Sequence, residues 1–234
     1  MPCGAEIAYQ HWQLESPEVI PERESSVVPI HWFADAPTEQ VRIPLKFTPS
    51  VTVRKECKVM ETASIGTRMS LKSGVDMAIL GTALHCCIGA SFTDPESPLL
   101  LEEIEGVLDR MEVAGAVKAQ ELLNQIAAFT AWIKARWPDA IPYAEIPTEM
   151  RLPNGQALQG RIDMLLKVNG GWILIDHKSN PGGSERWEHI AQEYAGQLAA
   201  YRDAIETATG EKVRESWLFL PIAAGAVRFE VDSI

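Results

Sequence analysis

Two aspartates and one lysine lie in otherwise apolar stretches of this sequence. Asp163 lies in GRIDMLLKV, and Asp176 and Lys178 lie in WILIDHK, with twelve residues between the two aspartates. Carboxylates that lie close together need positive charge between them, and carboxylate oxygens are ligands that suit Mg²⁺ and Mn²⁺. A lysine beside such an ion could align or deprotonate an attacking water, or offset charge on a phosphate in the transition state. These residue types therefore predict metal-assisted hydrolysis.

The two stretches are short, largely apolar runs on either side of a turn sequence, which predicts strands over residues 160–168 and 172–178. The Asn-Gly-Gly sequence at 169–171 favours a hairpin with a two-residue type I′ turn. In that register Asp163 is directly opposite Asp176 and on the same face, whereas a three-residue loop would shift the pairing by one position. The alternative is an ion-pair patch on a solvated sheet face.

The remaining pattern supplies the elements that must position this hairpin. Helices are predicted over residues 77–90, from about 98 onwards, over 114–137 and over 184–208, the last with Gly210 as its C-terminal cap. Further strands are predicted over residues 144–152, 216–222 and 226–232. This order predicts an α/β fold with a central mixed sheet flanked by helices. Residues 1–50 are Pro-rich and irregular, which indicates a linker or the tail of a preceding domain, and the main domain is placed at 51–234.

Three residues outside the hairpin carry a weaker signal. His85 lies on the predicted apolar helix LGTALHCC, where a core histidine is the ordinary interpretation, although imidazole also binds transition metals such as Mn²⁺. Gln197 and Tyr201 share one face of a helix because they are four residues apart. A buried amide at Gln197 needs a partner, which a carboxylate, a backbone group or a phosphate could provide.

Together these segments resemble the RecB-type nucleases of the PD-(D/E)XK superfamily. The signature of that family is a helical G-x-x-x-H, a G-x-x-D strand, a D-x-K strand and a Q-x-x-x-Y helix, in that order. Here the four motifs are Gly81–His85, Gly160–Asp163, Asp176–Lys178 and Gln197–Tyr201, and the resemblance covers about residues 77–222. It implies a restriction-endonuclease-like core within the domain placed at 51–234.

The resemblance also implies roles for the matching residues. His85, Asp163, Asp176 and the backbone carbonyl of His177 would bind the metal, Lys178 would be catalytic together with the two aspartates, and Gln197 and Tyr201 would support the site or contact DNA. The central residue of D-x-K is often Tyr in this family and is His177 here. Its side chain is expected to point away from the acidic face.

The charge of the chain limits how it could hold a nucleic acid. The formal net charge is −11, whereas a protein that binds DNA unaided usually has a basic surface. Either the substrate is not nucleic acid, or another domain or subunit delivers the DNA. The sequence has no apolar run long enough for a transmembrane helix and no secretory signal at its N-terminus, so a cytoplasmic protein without a membrane partner is expected.

The four cysteines do not form a recognisable metal site. Cys3, Cys57, Cys86 and Cys87 match no zinc spacing, and the expected state is buried free thiols, with Cys86 and Cys87 on different sides of their helix. Some relatives in the resembling group carry a four-cysteine iron–sulfur cluster. No cysteine follows Cys87, so no such cluster is expected.

The function predicted from these observations is metal-dependent hydrolysis of DNA phosphodiester bonds. The resemblance implies the C-terminal nuclease domain of an AddA/RecB-like helicase-nuclease, acting as its exonuclease module in DNA double-strand-break repair, with Mg²⁺ or Mn²⁺ as cofactor. DNA and a helicase domain or subunit that delivers the strand are the expected partners. One alternative is a non-catalytic nuclease-fold module that guides DNA or serves as a scaffold, although such modules lose their metal ligands. Another is a metal-dependent hydrolase acting on a different substrate, which the acidic charge favours.

Overall fold

The structure is a computed structural model that describes residues 45–51, 55–93 and 101–231. Within these ranges the strands are β1 (Lys46–Phe47), β2 (Cys57–Ser64), β3 (Ile141–Arg151), β4 (Ala157–Val168), β5 (Gly171–His177), β6 (Val213–Leu220) and β7 (Gly225–Val231). The α-helices are α1 (Met77–Thr93), α2 (Leu101–Arg110), α3 (Ala119–Arg136) and α4 (Trp187–Thr209). Single 3₁₀ turns cover Pro49–Val51 and Ser184–Arg186.

The seven strands form one mixed sheet. Its order is β1-β4-β5-β6-β7-β2, with β3 paired along β4 as well. The pairs β1–β4 and β5–β6 are parallel, and the other pairs are antiparallel. The predicted fold class, an α/β fold with a central mixed sheet flanked by helices, is therefore confirmed.

Two apolar cores hold the helices against opposite faces of the sheet. Residues of α1, α2 and α3 pack with one face, where Phe129 and Trp217 are among the largest fully buried side chains. Residues of α4 pack with the other face, around Ile190 and Leu198. Burial of apolar side chains on both faces is the main force that fixes the helices around the sheet.

Several predicted boundaries differ from the structure. Helix α3 begins at Ala119 and not at 114, because Glu112 (φ 58°) and Gly115 (φ 70°) adopt left-handed conformations that a right-handed helix does not allow. Strand β2 was not predicted, although its side chains alternate between half-buried and exposed. Gly210, with φ of 71°, caps α4 as predicted.

The segment predicted as a linker or tail, residues 1–50, lies mostly outside the described residues. Its described end includes β1, which pairs in parallel with the start of β4 through Lys46 and Ala157. In the part of the chain that the structure describes, no helix combines the length and the apolar character needed to cross a membrane.

Candidate metal and catalytic site

The β4–β5 hairpin brings the two aspartates to one end of a strand pair. Pairing runs from Val168 opposite Gly171 to Met164 opposite Ile175, which is the predicted register. The predicted type I′ turn is wrong, because that turn needs a positive φ at both loop residues and only Gly170 (77°), not Asn169, has one. The register is nevertheless as predicted, because the loop still has two residues and loop length fixes the register of a hairpin.

The predicted sharing of one face by Asp163 and Asp176 is also wrong. Ile162 packs in the core on the α4 side, whereas Met164 packs in the core beneath α1, α2 and α3. The side-chain alternation of β4 is therefore interrupted at Asp163, the point where the pairing of β4 with β5 has ended. As a result Asp163 contacts α1, and Asp176 contacts α4.

Asp163 is held between helix α1 and strand β5. Its Oδ1 lies 3.2 Å from Nδ1 of His85, and its Oδ2 accepts a hydrogen bond of 2.7 Å from the backbone N–H of His177. Helix α1 approaches this strand end closely at Gly81, where an added Cβ would lie 3.0 Å from Oγ of Ser179. The contact of His85 with Asp163 thus depends on a glycine one turn earlier in the helix.

Asp176 is held by a lysine on its own strand end and by helix α4. Nζ of Lys178 lies 2.7 Å from Oδ2 of Asp176, and Nε2 of Gln197 donates a 3.2 Å hydrogen bond to Oδ1. The Lys178 ammonium also lies 4.8 Å from the ring centroid of Tyr194, a cation–π distance. Lys178 follows β5 directly, and its backbone N–H donates to the carbonyl of Phe219.

The side chain of His177 points away from Asp176 but toward Asp163, which corrects the expectation that it points away from both aspartates. Among the described residues, one group could hold a metal ion: His85, Asp163 and His177, whose donor atoms all lie within 4.8 Å of one another. The His177 ring is 1% exposed, and neither of its nitrogens has a hydrogen-bond partner in the described part of the chain. Asp176 is not in this group, although the resemblance implies it as a ligand.

Aromatic rings surround the other sides of His177. Its ring meets Phe129 and Phe219 edge-on, at centroid distances of 5.5 and 5.7 Å, and these two phenyl rings stack on each other at 3.9 Å. The ring of His85 is the third neighbour, at 5.6 Å. The imidazole is therefore enclosed by apolar surface except toward His85 and Asp163.

The two carboxyl groups titrate in opposite directions. Burial acts to raise the pKa of Asp163, but the hydrogen bond with His85 and nearby positive charge lower it to about 2. Burial raises the pKa of Asp176 to about 6, because the ammonium of Lys178 offsets only part of the lost solvation. Two neighbouring acids whose pKa values are pushed apart by their surroundings are typical of functional sites.

The nitrogen bases near the carboxylates are shifted as well. Burial lowers the pKa of His177 to about 3, so its ring is neutral at pH 7 and keeps a free lone pair. Burial also acts to lower the pKa of Lys178, but the carboxylates of Asp176 and Asp163 outweigh it and raise this pKa. Lys178 is consequently an ammonium group near neutral pH.

Tyr201 lies behind the site and not at its opening. Its hydroxyl donates a 2.8 Å hydrogen bond to the backbone carbonyl of Arg161, and the side chain is 4% exposed. Gly160 makes this contact possible, because an added Cβ would lie 2.9 Å from the Tyr201 hydroxyl and 3.0 Å from Cδ of Pro49. Gln197 and Tyr201, predicted as site support or DNA contacts, thus both contact the strand ends that carry the aspartates.

A cavity of about 400 Å³ opens onto the group, and His85, Asp163, His177 and Lys178 are among the residues that line it. Two residues that sequence reasoning missed also line it: Arg161, whose side chain is 66% exposed, and Glu145, which pairs with Arg161 at 3.2 Å. Arg161 stands inside the G-x-x-D motif, so its basic character was the available signal. Glu145 has a φ of 56°, an unusual conformation that sequence patterns do not predict.

The sequence predicted that the cysteines are buried, and among the described cysteines only Cys87 is. Cys87 is buried, Cys57 is half-buried and Cys86 is exposed, where it lines the same cavity; Cys3 lies outside the described residues. Cys86 and Cys87 do point to different sides of α1, as predicted.

The residues present fit a divalent cation. Two imidazoles and a carboxylate converge, His177 offers unpartnered nitrogens, and the buried Oδ2 of Asp176 contacts Lys178 without forming a well-aligned hydrogen bond. Buried polar atoms without hydrogen bonds are costly, and a metal ion is one group that would satisfy them.

Comparison with known proteins agrees with this geometry. Residues 61–233 match the profile of the PD-(D/E)XK nuclease superfamily, and the chain therefore belongs to that superfamily. The resemblance found from the four motifs is thereby confirmed.

Similar proteins are much longer than this chain. An ATP-dependent helicase/nuclease subunit of Pelotomaculum thermopropionicum is 29% identical over 171 residues, which are 65% of this chain and 13% of that protein. Proteins of the same name from Heliobacterium modesticaldum and Desulforudis audaxviator are 38% identical over 87 residues and 31% identical over 124 residues. These matches cover 35% and 48% of this chain, but only 6% and 10% of the respective relatives.

Proposed function

We propose that this chain is a divalent-metal-dependent deoxyribonuclease module that hydrolyses DNA phosphodiester bonds. The observation that carries the proposal is a pair of contacts at the open end of the β4–β5 hairpin, His85 with Asp163 and Lys178 with Asp176, where His85, Asp163 and Lys178 line a cavity. Membership of the PD-(D/E)XK nuclease superfamily supports the same chemistry.

The metal would be held by His85, Asp163 and Asp176, with the backbone carbonyl of His177 as a further oxygen ligand. When bound, Mg²⁺ or Mn²⁺ polarises the phosphate and lowers the pKa of a bound water. The hydrogen bond from the His177 backbone fixes one oxygen of Asp163, and that from Gln197 fixes one oxygen of Asp176. The two carboxylates are therefore oriented before any ligand arrives, which reduces the reorganisation that binding requires.

Lys178 is proposed as the catalytic lysine. Its raised pKa keeps it charged, which favours orientation of water and stabilisation of negative charge over a role as general base. Its side chain is 18% exposed at the cavity, so a phosphate could approach it. Arg161, which is far more exposed at the same cavity, is placed to contact a neighbouring phosphate.

The proposed biological setting is a helicase-nuclease that processes DNA double-strand breaks, with this chain as its exonuclease module. The curated relatives are named helicase/nuclease subunits, and the chain spans 13% or less of those described above. A formal net charge of −11 is unfavourable for unaided DNA binding. Delivery of the strand by a helicase domain or subunit would remove that difficulty.

The test is cleavage of end-labelled linear single- and double-stranded DNA with Mg²⁺ or Mn²⁺. The wild-type chain is compared with Asp163→Asn and with the matched control Asp139→Asn, an exposed aspartate between α3 and β3. Cleavage that EDTA and Asp163→Asn abolish and Asp139→Asn preserves would support the proposal. Successive shortening from one labelled end would identify exonuclease action and its polarity.

Two other results would favour the alternative functions. Hydrolysis of mononucleotide phosphoesters but not of DNA would indicate a hydrolase with another substrate. Absence of cleavage with either metal, even when a helicase presents the strand, would favour a DNA-guiding or scaffold module.

A further inference from the structure

The His177 side chain has features that core packing alone does not explain. Its ring is almost fully buried and both nitrogens lack hydrogen-bond partners among the described residues. Leaving a buried polar group without a partner is destabilising. A phenylalanine would fill the space beside the stacked rings of Phe129 and Phe219 without that penalty, so core packing does not account for the two nitrogen atoms.

The ring nitrogens face two residues of the proposed metal site. Donor atoms of His177, His85 and Asp163 lie within 4.8 Å of one another. Two ligands on opposite sides of one transition-metal ion are roughly 4 Å apart, since each bond is about 2.0–2.1 Å long. The three side chains are thus close to the spacing at which one ion could contact all of them.

We propose that the imidazole of His177 is an additional metal ligand and that the resulting nitrogen-rich donor set makes the site prefer Mn²⁺ over Mg²⁺. The inference rests on the proposed metal-dependent function and deepens it, because His85 and Asp163 belong to both donor sets. His177 is the additional member.

The preference follows from the chemistry of the donors. Mg²⁺ binds oxygen ligands almost exclusively and gives up its waters reluctantly. First-row transition ions accept imidazole nitrogen, and two histidines with one carboxylate are a donor set that such ions occupy in other proteins. A site with two imidazoles therefore gains affinity for Mn²⁺ without a matching gain for Mg²⁺.

The electrostatic surroundings agree with this assignment. Both ring nitrogens of His177 are buried and have no hydrogen-bond partner among the described residues, so they are free to meet an ion. The apolar walls of Phe129 and Phe219 prevent the ring nitrogens from finding protein partners on the other sides. Asp163, whose Oδ1 lies 3.2 Å from Nδ1 of His85, supplies the negative charge of the group.

The experiment measures metal binding by the metal-free chain without DNA. Wild type, His177→Phe and the control His189→Phe, an exposed histidine on α4, are titrated calorimetrically with Mn²⁺ and separately with Mg²⁺. Loss of one ligand should weaken Mn²⁺ binding about tenfold or more in His177→Phe, while Mg²⁺ binding changes by less than about twofold. His189→Phe should match the wild type for both ions. Circular dichroism confirms that each variant is folded.

A second measurement counts the histidine ligands of the bound ion directly, first in the wild type and then in variants of His177. Pulsed electron paramagnetic resonance of bound Mn²⁺, with unlabelled and ¹⁵N-histidine protein, counts the histidine nitrogens coupled to the ion. We expect two such nitrogens in the wild type and one in His177→Phe or His177→Tyr. A single coupled nitrogen in the wild type would overturn the inference, as would an unchanged Mn²⁺-to-Mg²⁺ affinity ratio in His177→Phe.

Failure of this inference differs from failure of the proposed function. If wild type binds Mn²⁺ and cleaves DNA but His177→Phe has the same metal preference, only the role of His177 is refuted. If wild type binds neither ion, both the additional ligand and the metal-dependent nuclease are refuted.

Discussion

Nζ of Lys178 lies 2.7 Å from Oδ2 of Asp176, and this ion pair joins the proposed catalytic ammonium to a carboxylate of the proposed metal site. Removal of a buried carboxylate from water favours its protonated form, and the nearby ammonium opposes that effect. Lys178 therefore has two consequences: it helps to keep Asp176 ionised, and it presents positive charge to the cavity.

Substitution of Lys178 by Met should affect both catalysis and metal binding. Loss of the ammonium should reduce DNA cleavage about 100- to 10,000-fold, the range typical of a proton-transfer or charge-stabilising group. The pKa of Asp176, about 6 in the wild type, should rise, because Lys178 is the main group that lowers it. The pH at which Mn²⁺ binding is half-maximal should therefore move upward, as calorimetry between about pH 5.5 and 8 would measure.

Lys134→Met provides the control, because Lys134 is an exposed lysine on α3 away from the site. It should cleave DNA and bind Mn²⁺ as the wild type does. An unchanged pH dependence in Lys178→Met would show that the ion pair does not control the ionisation of Asp176.

Gln197 is a positioning residue in this arrangement, since it contacts Asp176 and does not line the cavity. Gln197→Leu keeps a similar volume but removes the hydrogen bond, so Asp176 loses one of its two polar contacts. Loss of a hydrogen bond to a metal-binding side chain typically lowers metal affinity or activity about 10- to 100-fold. We expect a drop of that size in Mn²⁺ affinity, with unfolding free energy changed by only about 1 kcal/mol.

Gln192→Leu tests whether this effect is specific. Gln192 is exposed on the same helix, so its substitution should leave both Mn²⁺ affinity and DNA cleavage unchanged. Gln197→Glu should be worse than Gln197→Leu, because a second carboxylate would further raise the pKa of Asp176. Equal Mn²⁺ affinities for Gln192→Leu, Gln197→Leu and Gln197→Glu would show that Gln197 does not position Asp176 for metal binding.

The sequence predicted the hairpin register and the local elements better than it predicted side-chain directions. The Asn-Gly signal located a two-residue loop, and the loop length fixed which residues of β4 and β5 pair. The interruption at Asp163 was not predictable, because it depends on contacts with His85 in a helix about eighty residues earlier. Alternation along β5 correctly directs His177 to the face opposite Asp176; the error lay in placing Asp163 on the Asp176 face, when it lies on the His177 face.

Gly160 should resist substitution even though alanine is a small residue. An added Cβ would lie 2.9 Å from the Tyr201 hydroxyl and 3.0 Å from Cδ of Pro49, so β4 or α4 must move. We expect Gly160→Ala to lower the unfolding free energy by about 1–3 kcal/mol, as overpacking of a filled core usually does. Urea unfolding monitored by tryptophan fluorescence would measure the change.

A double-mutant cycle of Gly160→Ala and Tyr201→Phe tests whether the contact with Tyr201 causes the loss of stability in Gly160→Ala. Tyr201→Phe alone should lower the unfolding free energy by about 1 kcal/mol, because the bond to the Arg161 carbonyl is lost. Gly160→Ala should then be less destabilising in the Tyr201→Phe background than in the wild type. Gly106→Ala on α2, where only the end of a flexible arginine is near, should be neutral or stabilising. Strict additivity in the cycle would contradict this contact.

His177 should make the metal-free protein sensitive to mild acid. Its pKa is about 3 in the folded state and 6.5 in an unfolded chain, so only the unfolded state takes up a proton between these values. Stability is therefore unaffected by His177 above pH 6.5 and falls as the pH decreases toward 3, by up to about 1.4 kcal/mol per pH unit. In EDTA, the unfolding free energy of His177→Phe should decline less steeply between about pH 7.5 and 5 than that of the wild type. His189→Phe, a variant of an exposed histidine, should show the same dependence of unfolding free energy on pH as the wild type. The same dependence in all three proteins would show that the buried His177 ring takes up a proton without unfolding.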